Sequence, residues 1–557
     1  MTAVETAEAD AQEAHRRRFD PPLGVADGAF GALLLGTLVC FLNWSSAIRV
    51  NSDDWLLAPR GNSVGDYFLP YEQNLSAIPI AVYHAWLSIF GFSHYWPLRF
   101  TGIGSHLAIA IILYLIIRPR LGPAAALLAG TVILWYPGVY LIPSVFNHWF
   151  ALAASLVCAW ALTRDGIAFD VAASAALAVA LCSSGVGVAG AVGAVAYVVL
   201  TRAPLRRWLA VGIPMALWGV WRITLADYHQ RGTPPRVPAA PGAPQASVAA
   251  EHDFAVMARY VRDGVVNSFQ LITGHNHLVA EALAVLFFAL GAWRLREGTR
   301  AAAHQLAWTA AMVAWWVGLA YERGSVGTLT GAGPGTFRYR LVAVGFIAIA
   351  LVPSRMSSST RRRATGALAV GGAVVASALL IVANGPATLN RARDQEPWYR
   401  SSQMKMIAAN LGPKVVADEQ AIWIDPFTLL TAREYRKLTA RYGAPRGTMP
   451  AQPDAAIVQI GYIRPLQQPP SAKPCATLRE PLRVTPDPST WHRFNPMTMV
   501  TLRAGSTDVE VDVRRFQDAW TTIGRIPAGE SALLRLPDLL SRTPWTVRAP
   551  GACKIGP

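Results

Sequence analysis

The stretch Asn51-Ser52-Asp53-Asp54-Trp55 sets two adjacent carboxylates beside a tryptophan, just beyond the first long apolar run of the chain. Charged groups next to a bilayer are costly unless they are solvated or used, and a neighbouring Trp suits an interfacial anchor. The pair therefore reads either as the solvated start of a loop or as a proton-accepting carboxylate held close to the membrane. His275-Asn276-His277 offers two imidazoles at i, i+2, too thin a donor set for a metal. Gly185-Val186-Gly187-Val188-Ala189-Gly190 matches GxGxxG, but the region where a dinucleotide site needs an acid carries Arg206-Arg207-Trp208. Glycines that let apolar helices pack closely are the better reading. No GxxxxGK[ST] occurs, which argues against an ATP-driven pump.

The elements that must position these groups are apolar. The chain has 557 residues, 53% hydrophobic and only 15% charged, and its mean hydropathy is +0.30. Soluble domains carry about 25% charged residues, so the composition argues against a purely soluble enzyme, and it excludes a disordered chain. The formal charge of +16 suggests nucleic acid in a soluble protein. Here it has a different origin. A polar start ends in Arg16, Arg17 and Arg18, and the first apolar run follows over Asp27–Ile48. It is long enough to span a bilayer and longer than a signal-peptide core. It reads as a retained helix with a cytoplasmic N-terminus.

Further runs cover Leu98–Ile117, Ala124–Ile142, Val145–Leu162, Ile167–Leu181, Val186–Leu200, Trp208–Ala226, Leu278–Trp293, Ala303–Tyr321, Leu341–Pro353 and Ala367–Asn384. With the first this makes about 11 transmembrane helices. Numbering the turns alternately, every inner turn holds arginine: Arg118 and Arg120; Arg164; Arg202, Arg206 and Arg207; Arg294, Arg296 and Arg300; Arg355 with Arg361, Arg362 and Arg363. That pattern explains the basic charge without nucleic acid and leaves the C-terminus outside.

The expected organisation is a cytoplasmic tail 1–26, a transmembrane domain 27–384 with outer loops 49–97 and 227–277, and an extracytoplasmic C-terminal domain 385–557. Within the first loop, Ala77–Phe90 reads as an interfacial helix. Within the second, Thr233–Pro244 is rich in Pro, Ala and Gly and reads as irregular. The C-terminal domain is expected to be α+β or mainly β, from the short runs Lys414–Ala417, Ala421–Ile424, Ala456–Tyr462, Met499–Leu502 and Val509–Val513, with a helix at Arg433–Tyr442. Cys475 and Cys553 are its two cysteines, and a disulfide and two free thiols both fit. Cys40, Cys158 and Cys182 fall in predicted spans as packing residues.

An inside N-terminus, one span and then a long outer loop opening on an acidic pair resembles the GT-C superfamily of integral membrane glycosyltransferases. Asn74–Phe100, NLSAIPIAVYHAWLSIFGFSHYWPLRF, is similar to that family's interfacial helix and second span. The paired short spans around Cys182–Gly187 look like the family's fifth and sixth helices; Phe337-Arg338-Tyr339, just before the penultimate span, resembles an RY of actinobacterial-type members, and Trp398-Tyr399-Arg400, soon after the last span, is similar in style. The resemblance covers residues 20–400.

It implies a polyprenyl-phosphate sugar donor and an extracytoplasmic glycan, lipid or protein acceptor, with membrane lipids around the spans and no nucleic-acid partner. It also implies inversion at the anomeric carbon, with a first-loop carboxylate as general base. The base maps to Asp53 or Asp54, with Asp54 preferred. For the donor phosphate the resemblance points to Arg338, Tyr339, Arg340 and Arg99, with Arg60 and Arg323 read as structural. His84 and His148 are further candidates for substrate contact. No cofactor and no metal is expected; some family members use a divalent cation, but nothing here supports one on the aspartates.

The C-terminal Trp398, Trp423, Trp491, Trp520 and Trp545 are candidates for stacking on a sugar, with core packing the commoner role. The rival from another class is a transporter or flippase of lipid-linked sugars, which needs polar groups at mid-membrane. Only His106 and Gln305 stand out in the spans. A non-catalytic scaffold of the same fold is the third reading.

Overall fold

The structure, a computed structural model, describes residues 24–48, 50, 52–71, 74–136, 145–225, 254–273, 276–323, 336–352, 367–410, 421–423, 429–445, 462–465, 477–485, 497–514, 520–537 and 544–555. In chain order the helices are α1 (Val25–Trp44), α2 (Ser52–Leu57), α3 (Ala77–Phe90), α4 (Trp96–Leu121), α5 (Pro123–Leu134), α6 (Phe146–Leu162), α7 (Ile167–Leu181) and α8 (Val186–Thr201). They continue as α9 (Leu205–Leu225), α10 (Phe254–Thr273), α11 (His277–Arg296), α12 (Thr299–Arg323), α13 (Phe337–Ala350), α14 (Ala367–Asn410) and α15 (Ala432–Tyr442).

Five of these are long and apolar enough to cross a membrane: α1, α4, α9, α11 and the Ala369–Asn390 part of α14. Helices α5 to α8 are apolar but shorter. The protein is thus an α-helical, polytopic membrane protein with a β-rich C-terminal region. Each apolar run read from the sequence lies on a helix over most of its described residues; residues 137–142, Ala226 and Pro353 of these runs fall outside them.

Chain packing defines two units. The helical unit comprises Met1–Ser45, Thr101–Ile223 and Ala246–Ala392; the second comprises Ser46–Phe100, Thr224–Gln245 and Arg393–Pro557.

In the helical unit Arg118, Arg120, Arg164, Arg206 and Arg207 of the expected inner turns gather at one end. Arg118 near the end of α4 pairs with Asp27 in the first turn of α1 at 2.7 Å. Asp27 also accepts from the Gly24 N–H at 2.8 Å, so one carboxylate caps α1 and holds α4. Arg120 donates to the Thr163 hydroxyl just past α6 at 2.6 Å. Arg206 and Arg207, opening α9, reach Asp170 on α7 at 3.0 and 3.4 Å. These contacts put the starts of α1, α7 and α9 beside the ends of α4 and α6, the alternating helix directions that the arginine pattern anticipates.

Helix α10 is absent from the sequence reading, which took 227–277 as loop. Tyr260, Val265, Val266 and Phe269 are buried, while Arg262 and Asp263 pair with each other at 3.3 Å. The apolar residues recur at helical spacing on one face only. Average hydropathy therefore stays low, and a search for continuous apolar runs passes over it.

Close packing explains the glycines. A Cβ on Gly187 would lie 2.2 Å from the Ala180 carbonyl oxygen of α7, and one on Gly190 would lie 2.3 Å from the Ser155 hydroxyl of α6. The GxGxxG match is thus a helix-packing surface.

His106 and Gln305, the polar groups expected near mid-span, are held by backbone. His106 Nε2 lies 3.5 Å from the Leu134 carbonyl, and Gln305 donates to the Phe287 carbonyl at 3.1 Å.

In the second unit, strands β1 (Ala421–Trp423) and β2 (Leu429–Thr431) pair antiparallel, with register Ile422 against Leu430. The others are β3 (Tyr462–Pro465), β4 (Leu482–Val484), β5 (Met497–Ala504), β6 (Val509–Arg514), β7 (Thr521–Ile526), β8 (Ser531–Pro537), β9 (Trp545–Arg548) and β10 (Ala552–Ile555). They form two four-stranded sheets ordered β10-β5-β8-β3 and β4-β9-β6-β7. Val509, Val511 and Val513 are buried while Glu510 is exposed, the period-two pattern of a half-buried strand.

Trp545 is fully buried, which removes it as a sugar platform. Trp520 instead has the Arg514 and Arg548 guanidiniums 4.5 and 4.7 Å from its ring centroid. Side chains of Trp398 and Trp423, and all of Trp491, lie outside the description. Cys553 is disulfide-bonded, so the free-thiol alternative does not hold for it. Cys475 falls outside the described residues. Cys40, Cys158 and Cys182 are free.

Candidate functional site

Asp54 sits on the short helix α2 and is 0% exposed. Such burial of a carboxylate is tolerable only with strong hydrogen bonds. Both of its oxygens accept one. Tyr83 on α3 donates to Oδ1, and Tyr95, just before α4, donates to Oδ2 at 2.6 Å.

Aromatic packing fixes both phenols. The Trp86 ring lies 6.0 Å from Tyr83 and 5.6 Å from Tyr95, and its Nε1 donates to the His94 carbonyl at 2.8 Å. Trp55, next to Asp54, packs on Phe92 at 4.6 Å and on Tyr435 of α15 at 5.1 Å. The Phe92 N–H donates to the Tyr442 carbonyl at 3.0 Å, tying the first loop to α15 within the same unit. Asp53 is on the same helix; its side chain is outside the description.

The hydroxyls of Tyr83 and Tyr95 are expected to carry much of this arrangement. Tyr83→Phe and Tyr95→Phe keep the rings and remove only the donors. Each is expected to cost about 1.5–3 kcal/mol, the range for a hydrogen bond to a charged group. The double variant should cost more than the two singles summed, because the second loss leaves the buried carboxylate with neither phenol. Thermal unfolding in detergent reads both; melting unchanged in either single variant counts against the clamp.

Other candidates of this unit make contacts of their own. His84, one residue from Tyr83, is half-buried and packs under Gly61, where an added Cβ would come within 2.9 Å of it. Arg60 donates to the carbonyls of Leu69 and Pro70 at 3.2 and 2.9 Å and lies over Tyr71, so it clamps its own loop, as expected of a structural residue. Burial holds its guanidinium below the usual range, partly offset by Tyr71 and Asp66. Arg99 lies in the first turn of α4, its N–H bonded to the Tyr95 carbonyl at 3.2 Å.

The helical unit assembles a second constellation. Helix α13 opens on Phe337-Arg338-Tyr339-Arg340. Arg338 donates to the Tyr339 hydroxyl at 3.0 Å and lies 4.9 Å from its ring centroid. Tyr339 is buried, and its carbonyl accepts from Trp315 Nε1 at 2.9 Å. His148 stacks on Tyr339 at 6.3 Å and meets Trp315 edge-on at 5.9 Å. Arg340 is 6% exposed and lies over Tyr136 at 6.0 Å.

Arg338, Tyr339, Arg340 and His148 are thus brought together, as the sequence resemblance grouped the first three. Trp315 and Tyr136 were missed. They stand in unremarked apolar surroundings, and no linear signal sets them apart from lipid-facing aromatics. Asp54 and Arg99 belong to the second unit. The Arg323 side chain and His275 lie outside the description, and His277 is 3.4 Å from Glu281. Among the described residues, no three His, Cys, Asp or Glu side chains converge as metal ligands.

The chain is similar to several solved structures. One is ArnT from Cupriavidus metallidurans, solved bound to undecaprenyl phosphate. It is 17% identical, with 69% of this chain and 81% of that one covered and a TM-score of 0.41. Another is the oligosaccharyltransferase from Archaeoglobus fulgidus, solved with zinc and sulfate. It is 13% identical, with 66% and 55% covered and a TM-score of 0.32. A third is the arabinosyltransferase EmbB from Mycobacterium smegmatis, 12% identical, with 95% and 64% covered and a TM-score of 0.33. No protein-family model and no curated protein sequence matches the chain.

Proposed function

We propose that this chain is a membrane glycosyltransferase of the GT-C kind. More particularly, it moves a sugar from a polyprenyl-phosphate donor to an acceptor hydroxyl on the extracytoplasmic side of the cytoplasmic membrane. The observation that carries this reading is the acidic pair. Asp54 is completely buried and accepts from tyrosines on both oxygens, on a helix that closely follows the first membrane span. A carboxylate so engaged is a poor proton acceptor, because two phenol donors already stabilise its charge and it is buried away from an incoming hydroxyl. Consecutive residues of a helix do not share a face. The reading therefore gives the base role to Asp53 and makes Asp54 the group that fixes α2 beneath it.

In the proposed reaction the acceptor oxygen attacks the anomeric carbon while its proton passes to Asp53. The bond from that carbon to the phosphate oxygen breaks, and the electron pair leaves with the polyprenyl phosphate. A single displacement inverts the anomeric centre. Phosphate binding is assigned to Arg338 and Arg340, whose guanidiniums suit bidentate contact with phosphate oxygens. The buried, ring-packed setting of Arg340 supports that assignment, since a site of reduced polarity strengthens an ionic contact. The arginine-bearing end of the helical unit would face the cytoplasm, following the positive-inside pattern.

The test is sugar transfer in membranes overexpressing the protein, from a panel of labelled polyprenyl-phosphate hexoses and pentoses. Transfer from one donor, absent from control membranes, is the expected outcome. Translocation of a lipid-linked sugar into vesicles with no transfer would replace this reading by the transporter.

A further inference from the structure

The arginines at one end of the helical unit fall into two groups. Arg118, Arg206 and Arg207 each have a carboxylate: Asp27 at 2.7 Å, Asp170 at 3.0 Å and Asp165 at 2.6 Å. Among the described residues, Arg120 and Arg164 pair with no carboxylate. Arg120 Nη2 donates to the Thr163 hydroxyl at 2.6 Å. Arg164, the next residue after Thr163, has its guanidinium 5.5 Å from the centroid of the Trp160 ring.

The Thr163 contact sets the Arg120 guanidinium beside the residue that carries the second charge, Arg164. Both side chains are half-buried, and Arg120 Nη1 and Arg164 Nε are each buried without a hydrogen-bond partner. Two like charges with desolvated, unused donors are unfavourable by themselves. An anion with several acceptor oxygens reverses the sign of both terms. It supplies the missing acceptors and places negative charge between the cations. Phosphate matches the fork of a guanidinium better than a single carboxylate does, because it can serve two arginines from different oxygens.

This place is distinct from Arg338 and Arg340. His148 in the first turn of α6 stacks on Tyr339 at 6.3 Å, whereas Thr163, which accepts from Arg120, directly follows the last turn of that helix. The 17 residues of α6 separate the two ends by about 25 Å at 1.5 Å per residue.

We propose that Arg120 and Arg164 form a binding site for a phosphate group, supplied by an anionic membrane lipid. The lipid source is favoured because the site lies at the end of α4, a helix apolar enough to cross a membrane, which also exposes Ile111 and Leu115. The site requires only a membrane setting and does not depend on which reaction the protein catalyses.

The test uses the full-length protein, stripped of lipid in a non-ionic detergent. Thermal unfolding and native mass spectrometry are followed on titration with phosphatidylglycerol, diacylglycerol or inorganic phosphate. Phosphatidylglycerol is expected to raise the melting temperature and remain bound, while diacylglycerol does neither. Arg120→Gln and Arg164→Gln are each expected to weaken phosphatidylglycerol binding about tenfold, as loss of one charge-assisted contact implies. Without lipid both variants should melt at or above the wild-type temperature, since each relieves a repulsion. If Arg120→Gln fails to fold through loss of its Thr163 contact, Arg164→Gln carries the test, having only a ring contact to lose. If inorganic phosphate alone gives the same arginine-dependent shift, the phosphate site stands and the lipid source falls. No shift with either ligand, or a shift that survives the double substitution, overturns the proposal.

Discussion

Asp53→Asn is expected to lower sugar transfer by about 10²–10⁴-fold, the usual contribution of a positioned general base, while leaving thermal unfolding near wild type. An amide has nearly the shape of a carboxylate but cannot take a proton. The loss should therefore fall on turnover rather than on donor binding. Asp54→Asn should behave differently. Its side chain would offer one oxygen to two phenols that now both donate to it. One tyrosine hydroxyl then faces an NH2 group, so stability and activity should fall together, by about 1–3 kcal/mol in stability. The decisive comparison is transfer rate against melting temperature for the two variants side by side. Full activity in Asp53→Asn, with Asp54→Asn inactive yet normally stable, would return the base role to Asp54.

Gly187→Ala is expected to be the most destabilising single methyl in the helical unit. The added carbon would lie 2.2 Å from the Ala180 oxygen and 2.3 Å from its carbonyl carbon. These are backbone atoms of the last turn of α7, which cannot swing aside as a side chain does. Overpacking usually costs 1–3 kcal/mol, and a rigid backbone contact puts this case at about 3 kcal/mol or more. Gly36→Ala on α1 is the control, because nothing lies within 4 Å of its added Cβ. There the helix propensity of alanine should leave stability unchanged or raise it by up to about 1 kcal/mol. Thermal unfolding of both variants in one detergent measures the contrast. Equal melting would mean that α7 and α8 do not meet as closely as described.

What the sequence determined by itself was the helical framework. Spans such as Ile167–Leu181 and the helix Ala77–Phe90 coincide with observed helices end to end. The physical reason is local: an apolar run placed where water cannot reach must satisfy its own backbone hydrogen bonds, so apolarity favours helix. Period-two burial made Val509–Val513 legible as a strand for a similarly local reason. The amphipathic α10 was not legible, because its apolar face is supplied a few residues at a time.

Only the tertiary structure decided how the candidate residues are buried and hydrogen-bonded. The sequence offers Asp53 and Asp54 as neighbours of the same type, with Asp54 preferred as the base. Tyr83 and Tyr95, 29 and 41 residues further on, turn Asp54 into a buried, doubly hydrogen-bonded carboxylate. Residues 46–100, which hold the expected outer loop 49–97, pack in one unit with 393–557. Trp55 packing on Tyr435 and Phe92 bonding to Tyr442 are the contacts that bind them there. Likewise, arginines that the sequence presents as one topological signal separate into those matched by Asp27, Asp165 and Asp170 and those left with unused donors. Charge type and hydropathy are properties of a residue and its near neighbours, and the sequence carries them. Burial and hydrogen-bond partnership depend on groups distant in the chain, and they exist only once the chain has folded.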